Sequence, residues 1–484
     1  MPITHVIAEG IGPFETISLD LSCSDGTARL GPHILAGTNG TGKTTLLKAI
    51  AWVLSRRSDG FPVAEWAHMQ SGYPVSRVML IVDVVGIYRY ALASTSDVGE
   101  WWEDRLAEWV LSQVSSLGLS VEEYPLRSAD LVELPSEVAP ERGLVALRRD
   151  SESFTQGRAR FGGPPELIGH QYNAAAYSSA KSLRFIRNPE LGGNARTSVP
   201  NSLAFESTVQ NEAVQAWILG LYSKRAIAKE RHAAAHQYTA SLDAFEKGLK
   251  QICGEDVSVD VEIEPTFQPS LHFGTKVLNF SQIPDGVRAT VGWLSDFMMR
   301  ADSLDWDPKV AKFRPGLLLL DEIDAYLHPS WQRRLLPALK QALPHTQIIV
   351  TSHSPFVISS CSGSVVHVLK SDSEGRAYAE KPVEAPIGES ITATLKDIFG
   401  VSSRFDVQTE QELGEWTELA KMNSHRRLGA RRQARYRELS KLLSSRSEEL
   451  RSIVERPPKL SGSVVDALSS RSLSSHRRSK TKAG

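Results

Sequence analysis

Chemistry is concentrated in three short runs of this chain. The first is Gly37-Thr38-Asn39-Gly40-Thr41-Gly42-Lys43-Thr44-Thr45, which fits the spacing G-x-x-x-x-G-K-[ST] without a mismatch. Glycines let such a loop wrap closely, so that backbone N–H groups between Asn39 and Thr45 can converge on an anion. Lys43 would reach the β- and γ-phosphates of a nucleoside triphosphate, and Thr44 would offer its hydroxyl to Mg²⁺. The second run is Gly316-Leu317-Leu318-Leu319-Leu320-Asp321-Glu322. A continuous apolar stretch closed by two acids is expected to be a buried parallel strand that delivers carboxylates to its C-terminal edge. Asp321 suits a place in the Mg²⁺ hydration shell, and Glu322 suits the polarisation of a water attacking in line with the γ-phosphate. The third run, Gln347 to Pro355, is a second apolar strand ending in Thr351-Ser352-His353-Ser354. There His353 would sit near the γ-phosphate and report its presence by a hydrogen bond. Each run has a plain structural reading: a glycine turn, a solvated acidic turn, a structural histidine. Their occurrence together favours ATP hydrolysis.

The elements around these runs must bring them to one place. His33 to Ala36 reads as the strand leading into the loop, and Leu46-Leu47-x-Ala49-Ile50 as the buried helix leaving it. Ile3–Ile7 and Ile17–Leu21 are expected as strands around a turn at Gly10–Pro13, and Arg77–Val85 with Tyr88–Ala93 as a hairpin around Gly86. Residues 203–252 lack proline and place Val214, Trp217, Ile218 and Leu221 at helical spacing, which predicts helix throughout. Val257–Ile263 alternates like a half-exposed strand. Trp101, Trp102, Leu106 and Trp109 suggest an amphipathic helix whose tryptophans belong to a core rather than to a base-stacking platform.

Composition sets outer limits. At 41% hydrophobic and 23% charged residues the chain reads as an ordinary soluble protein, and its length suggests two to four units or one large α/β unit with insertions. No apolar stretch reaches the ~18 residues of a membrane span, and the N-terminus has no signal-peptide pattern. Cys23, Cys253 and Cys361 lie far apart, with neither disulfide nor metal spacing, which predicts a reducing, cytoplasmic location and no membrane. Charge is uneven: seventeen Lys/Arg and five Asp/Glu from Lys421 onward give +12, while the remaining 38 and 51 give −13. A basic C-terminal segment can contact nucleic acid phosphates or an acidic partner surface, or can simply be solvated.

Taken together the three runs resemble the head of ATP-binding-cassette (ABC) ATPases, and their wording is closest to the RecF/OLD-like group. Asp321-Glu322-Ile323-Asp324-Ala325-Tyr326-Leu327-His328-Pro329-Ser330-Trp331-Gln332 is similar to that group's DEID-x-x-LHP-x-WQ stretch, and Thr351–Pro355 to its histidine switch. Phe280 to Arg288, opening an apolar helix, resembles the signature loop, and Phe399-Gly400 is also familiar for the group. The resemblance implies an α/β fold: an ABC-type P-loop head with a mixed β-sheet core, a helical insertion and a basic helical C-terminal tail. The expected divisions are an N-terminal lobe over 1–200, an insertion and signature-helix lobe over 201–300, and a C-terminal lobe over 301–400. A helical segment over 401–455 and a disordered basic tail over 456–484 would follow.

In such families the signature loop of one copy closes on the P-loop of another, which implies a head-to-head dimer or a higher homo-oligomer. Asp285, Gly286 and Arg288 would then contact nucleotide across the seam. The sequence departs from the usual Leu-Ser-x-Gly-Glu/Gln: aligned on Gly286 it reads Ile283-Pro284-Asp285-Gly286-Val287, so the serine is absent and Ser281 is out of register. Where transporters keep an aspartate, His328 stands. Slow, switch-like turnover is expected, and a transporter role is disfavoured. Gln171, ahead of Tyr177-Ser178-Ser179-Ala180-Lys181, is a candidate for the Q-loop glutamine. Residues 370–484 carry no pattern of the Toprim nuclease that OLD relatives have. The implied partner is therefore a separate effector, a nuclease, as in anti-phage systems of the Septu kind. A RecF-type clamp closing on DNA is the alternative.

Overall fold

The computed structural model describes residues 2–54, 76–84, 87–95, 173–178, 211–232, 236–254, 257–262, 268–279, 285–304, 313–386, 388–401, 403–424 and 429–455. It also describes the strands Leu131–Leu134 and Leu144–Leu147 and isolated positions, among them Trp109, Leu203, Phe205 and Gln282. Gly86, Trp101, Trp102, Leu106, Gln171, residues 179–181, Phe280, Ser281, Ile283, Pro284 and the segment 456–484 lie outside the described residues. The chain divides into two compact units, Met1–Gly400 and Val401–Gly484.

The first unit is α/β and is built on two sheets. One has seven strands. Five of them are β8 (Asn173–Ser178), at one end of the order, then β12 (Gly316–Asp321), β13 (Thr346–Thr351), β3 (His33–Gly37) and β14 (Val365–Ser371), all parallel. Strands β15 (Ala377–Ala379) and β16 (Val383–Glu384) pair antiparallel with β14, so the sheet is mixed. The second sheet is antiparallel. It contains β1 (Ile3–Ile11), β2 (Phe14–Asp20), β4 (Arg77–Val84), β5 (Ile87–Thr95) and the pair β6 (Leu131–Leu134) and β7 (Leu144–Leu147). A small sheet of β9 (Val257–Glu262), β10 (Gln268–Phe273) and β11 (Lys276–Asn279) stands apart from both.

The unbroken apolar runs have a direct explanation. Along β12, Leu318 and Leu320 point into one hydrophobic core and Leu317 and Leu319 into another. In β13, Ile348 and Val350 divide from Ile349 in the same way, as do Ile34 and Leu35 in β3. A parallel strand covered on both faces cannot afford a polar alternate. The core between the two sheets also holds helix α1 (Lys43–Leu54), whose Leu46, Leu47, Ala49, Ile50 and Ala51 are wholly buried. The opposite face is covered by α2 (Asn211–Glu230), α3 (His236–Cys253), α4 (Asp285–Ser303) and α5 (Pro329–Ala342). The two sheets are joined by a side chain: buried Gln347 accepts from the Ile3 N–H and donates to the Ile3 carbonyl, both at 2.7 Å.

The helix expected over 203–252 is broken. Helix starts only at Asn211, and Phe205, with a left-handed φ of 54°, forms a parallel bridge to Tyr177 instead. A second break follows α2 at Arg231-His232, where φ at His232 is 49°. The last turns of α2 are mostly exposed and polar, so continuing it would bury little. Ending it lets Leu242, Phe245 and Leu249 of α3 enter the same core as Val214 and Ile218.

Short helices α6 (Pro355–Ile358) and α7 (Ile391–Phe399) complete the first unit; α7 ends on Gly400 in the left-handed conformation. The second unit consists of α8 (Val407–Ser424), α9 (Ala430–Arg446) and α10 (Glu448–Glu455) around Trp416, Leu419, Leu439, Leu443 and Leu450. No helix among the described residues is long and apolar enough to cross a membrane.

Candidate nucleotide site

The C-terminal ends of β3, β13 and β12 lie side by side, and the three chemical runs of the sequence leave the sheet there. Because β13 is inserted between β3 and β12, the loop after β3, the acids after β12 and the histidine after β13 share one edge. This is where open α/β sheets form their ligand crevices.

The loop after β3 is held from outside by the turn between β1 and β2. Gly42 has φ +85°, and a Cβ there would lie 2.4 Å from the Phe14 ring and 2.8 Å from the Pro13 ring. No side chain can be accommodated, which fixes that glycine independently of any ligand. On its other side the loop is open: Asn39 and Gly40 are exposed. Thr41 donates to the Thr38 carbonyl at 2.9 Å, tightening the bend. Lys43, only 6% exposed, folds back and donates from Nζ to the carbonyls of Gly37 (3.0 Å) and Thr38 (2.8 Å). Burial lowers its pKa, opposed by the charges of Asp321, Glu322 and Asp324. An anion in the loop would supply the missing counter-charge.

Asp321 is the hub of the site. The Thr44 hydroxyl donates to its two oxygens at 2.9 and 3.1 Å, and the Thr351 hydroxyl donates to Oδ1 at 2.7 Å. Thr351 also accepts from the Glu322 N–H at 2.6 Å. That bond fastens Glu322 in a left-handed conformation, φ 51°, which costs a non-glycine residue on the order of 1 kcal/mol or more. The Glu322 side chain is exposed at the mouth of the crevice. Among the described residues no group of three or more His, Cys, Asp or Glu could chelate a metal. One carboxylate and one hydroxyl, both hard oxygens, instead fit Mg²⁺, which keeps its waters and takes phosphate oxygens as further ligands.

The segment after Glu322 is pinned by a chain of hydrogen bonds. Gln332 Nε2 donates to the carbonyls of Asp324 and Leu327, both at 3.0 Å, and its Oε1 accepts from the Ser354 hydroxyl at 2.7 Å. The His353 N–H donates to Asp324 at 3.3 Å. Burial and the Lys43 charge lower the pKa of His353, which keeps the imidazole neutral at neutral pH. His328 has a different task. It caps α5, accepting from the Ser330 N–H, and Pro329 occupies the first turn, where a missing N–H costs nothing. Ser354 and Pro355 repeat the device on α6.

The signature helix α4 starts against the same segment. A Cβ on Gly286 would lie 2.3 Å from the Tyr326 carbonyl oxygen. Arg288 pairs with Asp285, one turn before it. The described contacts of Asp285, Gly286 and Arg288 are to one another, to Thr290 one turn on, and to Tyr326 and Leu327, none among the described residues to 37–45. Within one copy, therefore, Asn39 to Thr45, Asp321, Glu322 and His353 assemble, and Asp285, Gly286 and Arg288 stay beside the Tyr326 turn.

Three contributors lie within the motif stretches of the sequence without a role of their own. Thr351 is an ordinary strand residue until β13 pairs with β12 and sets it beside Asp321. Gln332 lies a turn inside α5. Tyr177, fully buried, donates to Asp296 at 2.7 Å, and Asp296 also pairs with Arg300 at 2.6 Å, which locks α4 onto β8 one residue before Ser178, the register partner of Asp321. Burial pushes the Tyr177 hydroxyl well above its usual pKa, so it remains a donor.

Comparison with known proteins agrees with this geometry. Residues 272–359 match the family model described as "AAA domain, putative AbiEii toxin, Type IV TA system", a span that covers the start of α4, β12, α5 and His353. The chain is 24% identical over 443 residues to the "Retron Ec83 probable ATPase" of Escherichia coli, covering 83% of this chain and 77% of that protein. It is 29% identical over 127 residues to the "Septu protein PtuA" of Bacillus mycoides, covering 26% of this chain and 17% of that protein. Among solved structures it is similar to an SMC head domain from Thermotoga maritima, at 16% identity and a TM-score of 0.41, covering 79% of this chain and 100% of that one. A phosphate-binding loop and an acidic strand end thus share one edge of a mixed sheet, and the AAA match spans the second half of that edge.

Proposed function

We propose that the chain is the ATP-driven switch of a bacterial anti-phage system, in which two or more copies close around nucleotide and thereby gate a separate effector protein, a nuclease. The observation that carries the reading is the convergence of the Thr44 and Thr351 hydroxyls on Asp321, with Thr351 also accepting from the Glu322 N–H, in the crevice that also holds Lys43. Lys43 would exchange two backbone carbonyls for the β- and γ-phosphates. Thr44 and Asp321 would hold Mg²⁺, which when bound neutralises charge developing on the phosphate oxygens. Glu322, at the mouth, would orient the attacking water, and neutral His353 would hydrogen-bond a γ-phosphate oxygen.

What one copy lacks supports the self-association in this reading. Gly286 and the start of α4 stay away from the chain's own loop, and beside them Tyr326 is 72% exposed, an aromatic that a second copy would cover. The retron and Septu names of the relatives supply the defence setting.

Glu322→Gln tests the proposal. With Mg²⁺ and ATP, the variant should bind nucleotide, lose hydrolysis and accumulate as a species of at least twice the monomer mass by light scattering. Undiminished hydrolysis would reject Glu322 as the base, and a nucleotide-loaded monomer would reject closure around ATP.

A further inference from the structure

The outer face of α9 is a feature that the nucleotide site does not use. In the second unit α8 is acidic, with Glu410, Glu412, Glu415 and Glu418, and α9 is basic, with Arg431, Arg432, Arg435, Arg437, Lys441 and Arg446. Two of these cations serve the hairpin. Arg435 grips Glu415 with two bonds of 3.0 and 2.8 Å, and Arg446 pairs with Glu412 and donates to the Thr409 hydroxyl at 2.7 Å. Leu439 and Leu443 fix the inner face beneath Trp416. At 100° per residue, Arg437 and Lys441 then fall together on the opposite side, with Arg431 flanking them. All three are exposed, and among the described residues none has an ion pair. The other positions of that face are Ala430, Ala434 and Ser445, all small, and at its edge Glu438, whose carboxylate pairs with Arg435 at 3.2 Å.

We propose that this face of α9 binds the phosphate backbone of duplex DNA without regard to sequence. Arg437 and Lys441, about 5–6 Å apart at the Cβ atoms, can reach neighbouring phosphates, and the small residues between cations let the helix approach the backbone closely. A protein partner would need an apolar or aromatic anchor at the centre of its interface. This face has none; the nearest apolar side chain, Leu442, is on its flank and only 37% exposed. A single strand would need rings for base stacking. Tyr436, the aromatic of α9, is stacked on Trp416 at 6.0 Å with its ring nearly parallel, so it is committed to the hairpin core. Residues 456–484, which follow α10, add seven Lys/Arg against one Asp and contain no Phe, Trp or Tyr, the same chemistry in sequence. The proposal is independent of the nucleotide-site reading.

The test uses the full chain, a short fluorescein-labelled duplex of mixed sequence and fluorescence anisotropy over a salt series. The wild type should bind, and Arg437→Gln/Lys441→Gln should make the slope of log K against log salt shallower by about 1.8, since each phosphate contact contributes about 0.9. Affinity at low salt should fall roughly tenfold or more, with ATP hydrolysis unchanged. Lys276→Gln, an exposed cation on β11, should change neither quantity. An unaltered slope in the double variant, tighter binding to a single strand than to the duplex, or equal binding to polyglutamate would each overturn the proposal, the last in favour of an acidic protein partner. Because neither side chain is ion-paired among the described residues, helix content by circular dichroism should be unchanged.

Discussion

Replacing Thr351 by valine removes one hydroxyl and almost nothing else, yet that hydroxyl joins the two acids of the site. It donates to Asp321 at 2.7 Å and accepts from the Glu322 N–H at 2.6 Å. A hydrogen bond to a charged group contributes about 1.5–3 kcal/mol and a neutral one about 1 kcal/mol, but water can refill part of a site open to solvent. Taking about 2 kcal/mol as the net loss, and assigning it to the geometry of Asp321 and Glu322 rather than to nucleotide affinity, kcat should fall about thirtyfold. The Kd for ATP should stay within about twofold, because Lys43 and the loop are untouched. Thr351→Ser keeps the hydroxyl and should restore most of the rate. Steady-state hydrolysis alongside equilibrium binding of a labelled ATP analogue separates the two effects. A kcat within about threefold of wild type, or a loss confined to Kd, would refute the claim that Thr351 positions the acids.

Lys43→Ala should abolish ATP binding in the same assay; retained tight binding would remove the lysine from the phosphate cradle. Gly286→Ala places a methyl where the Tyr326 carbonyl stands, so α4 must shift at its start. ATP should still bind to single copies, while the ATP-dependent increase in mass disappears; normal assembly would show that this helix start is not part of the seam. The buried pair His33 and His367, joined at 3.2 Å, gives a pH prediction. Burial depresses both, His33 to about 4 and His367 to about 3, so the unfolded chain binds more protons than the folded one as pH drops below about 6.5. Stability should therefore be full at neutral pH and decline from about pH 6.5 towards pH 4, with His33 alone costing on the order of 2 kcal/mol at pH 5. Urea midpoints across that range check it, and a curve that His33→Asn/His367→Asn leaves unchanged would assign the acid sensitivity elsewhere.

The sequence by itself determined the local chemistry of this protein. Gly42-Lys43-Thr44 dictates a loop and a helix start, because the glycine takes a backbone conformation other residues resist. Uninterrupted Leu and Ile runs dictate strands covered on both faces. Ser354-Pro355 and His328-Pro329 dictate helix starts, since a capping side chain followed by proline satisfies the first turn. These signals act over a few residues and survive in one dimension.

Only the tertiary structure decided which of them meet. Inserting β13 between β3 and β12 makes Thr351, to which the sequence assigned no role, the bridge between Asp321 and Glu322, and brings His353 to Asp324. Such register is set by the fit of whole strands in two cores, not by any local preference. The break after α2 was hidden for a related reason: proline-free, helix-compatible sequence runs through it, and the chain turns back because α3 buries its apolar face only by doing so. Gln332 and the Tyr177–Asp296–Arg300 group gain their roles from partners as many as 119 positions away, a distance over which sequence spacing carries no geometric information.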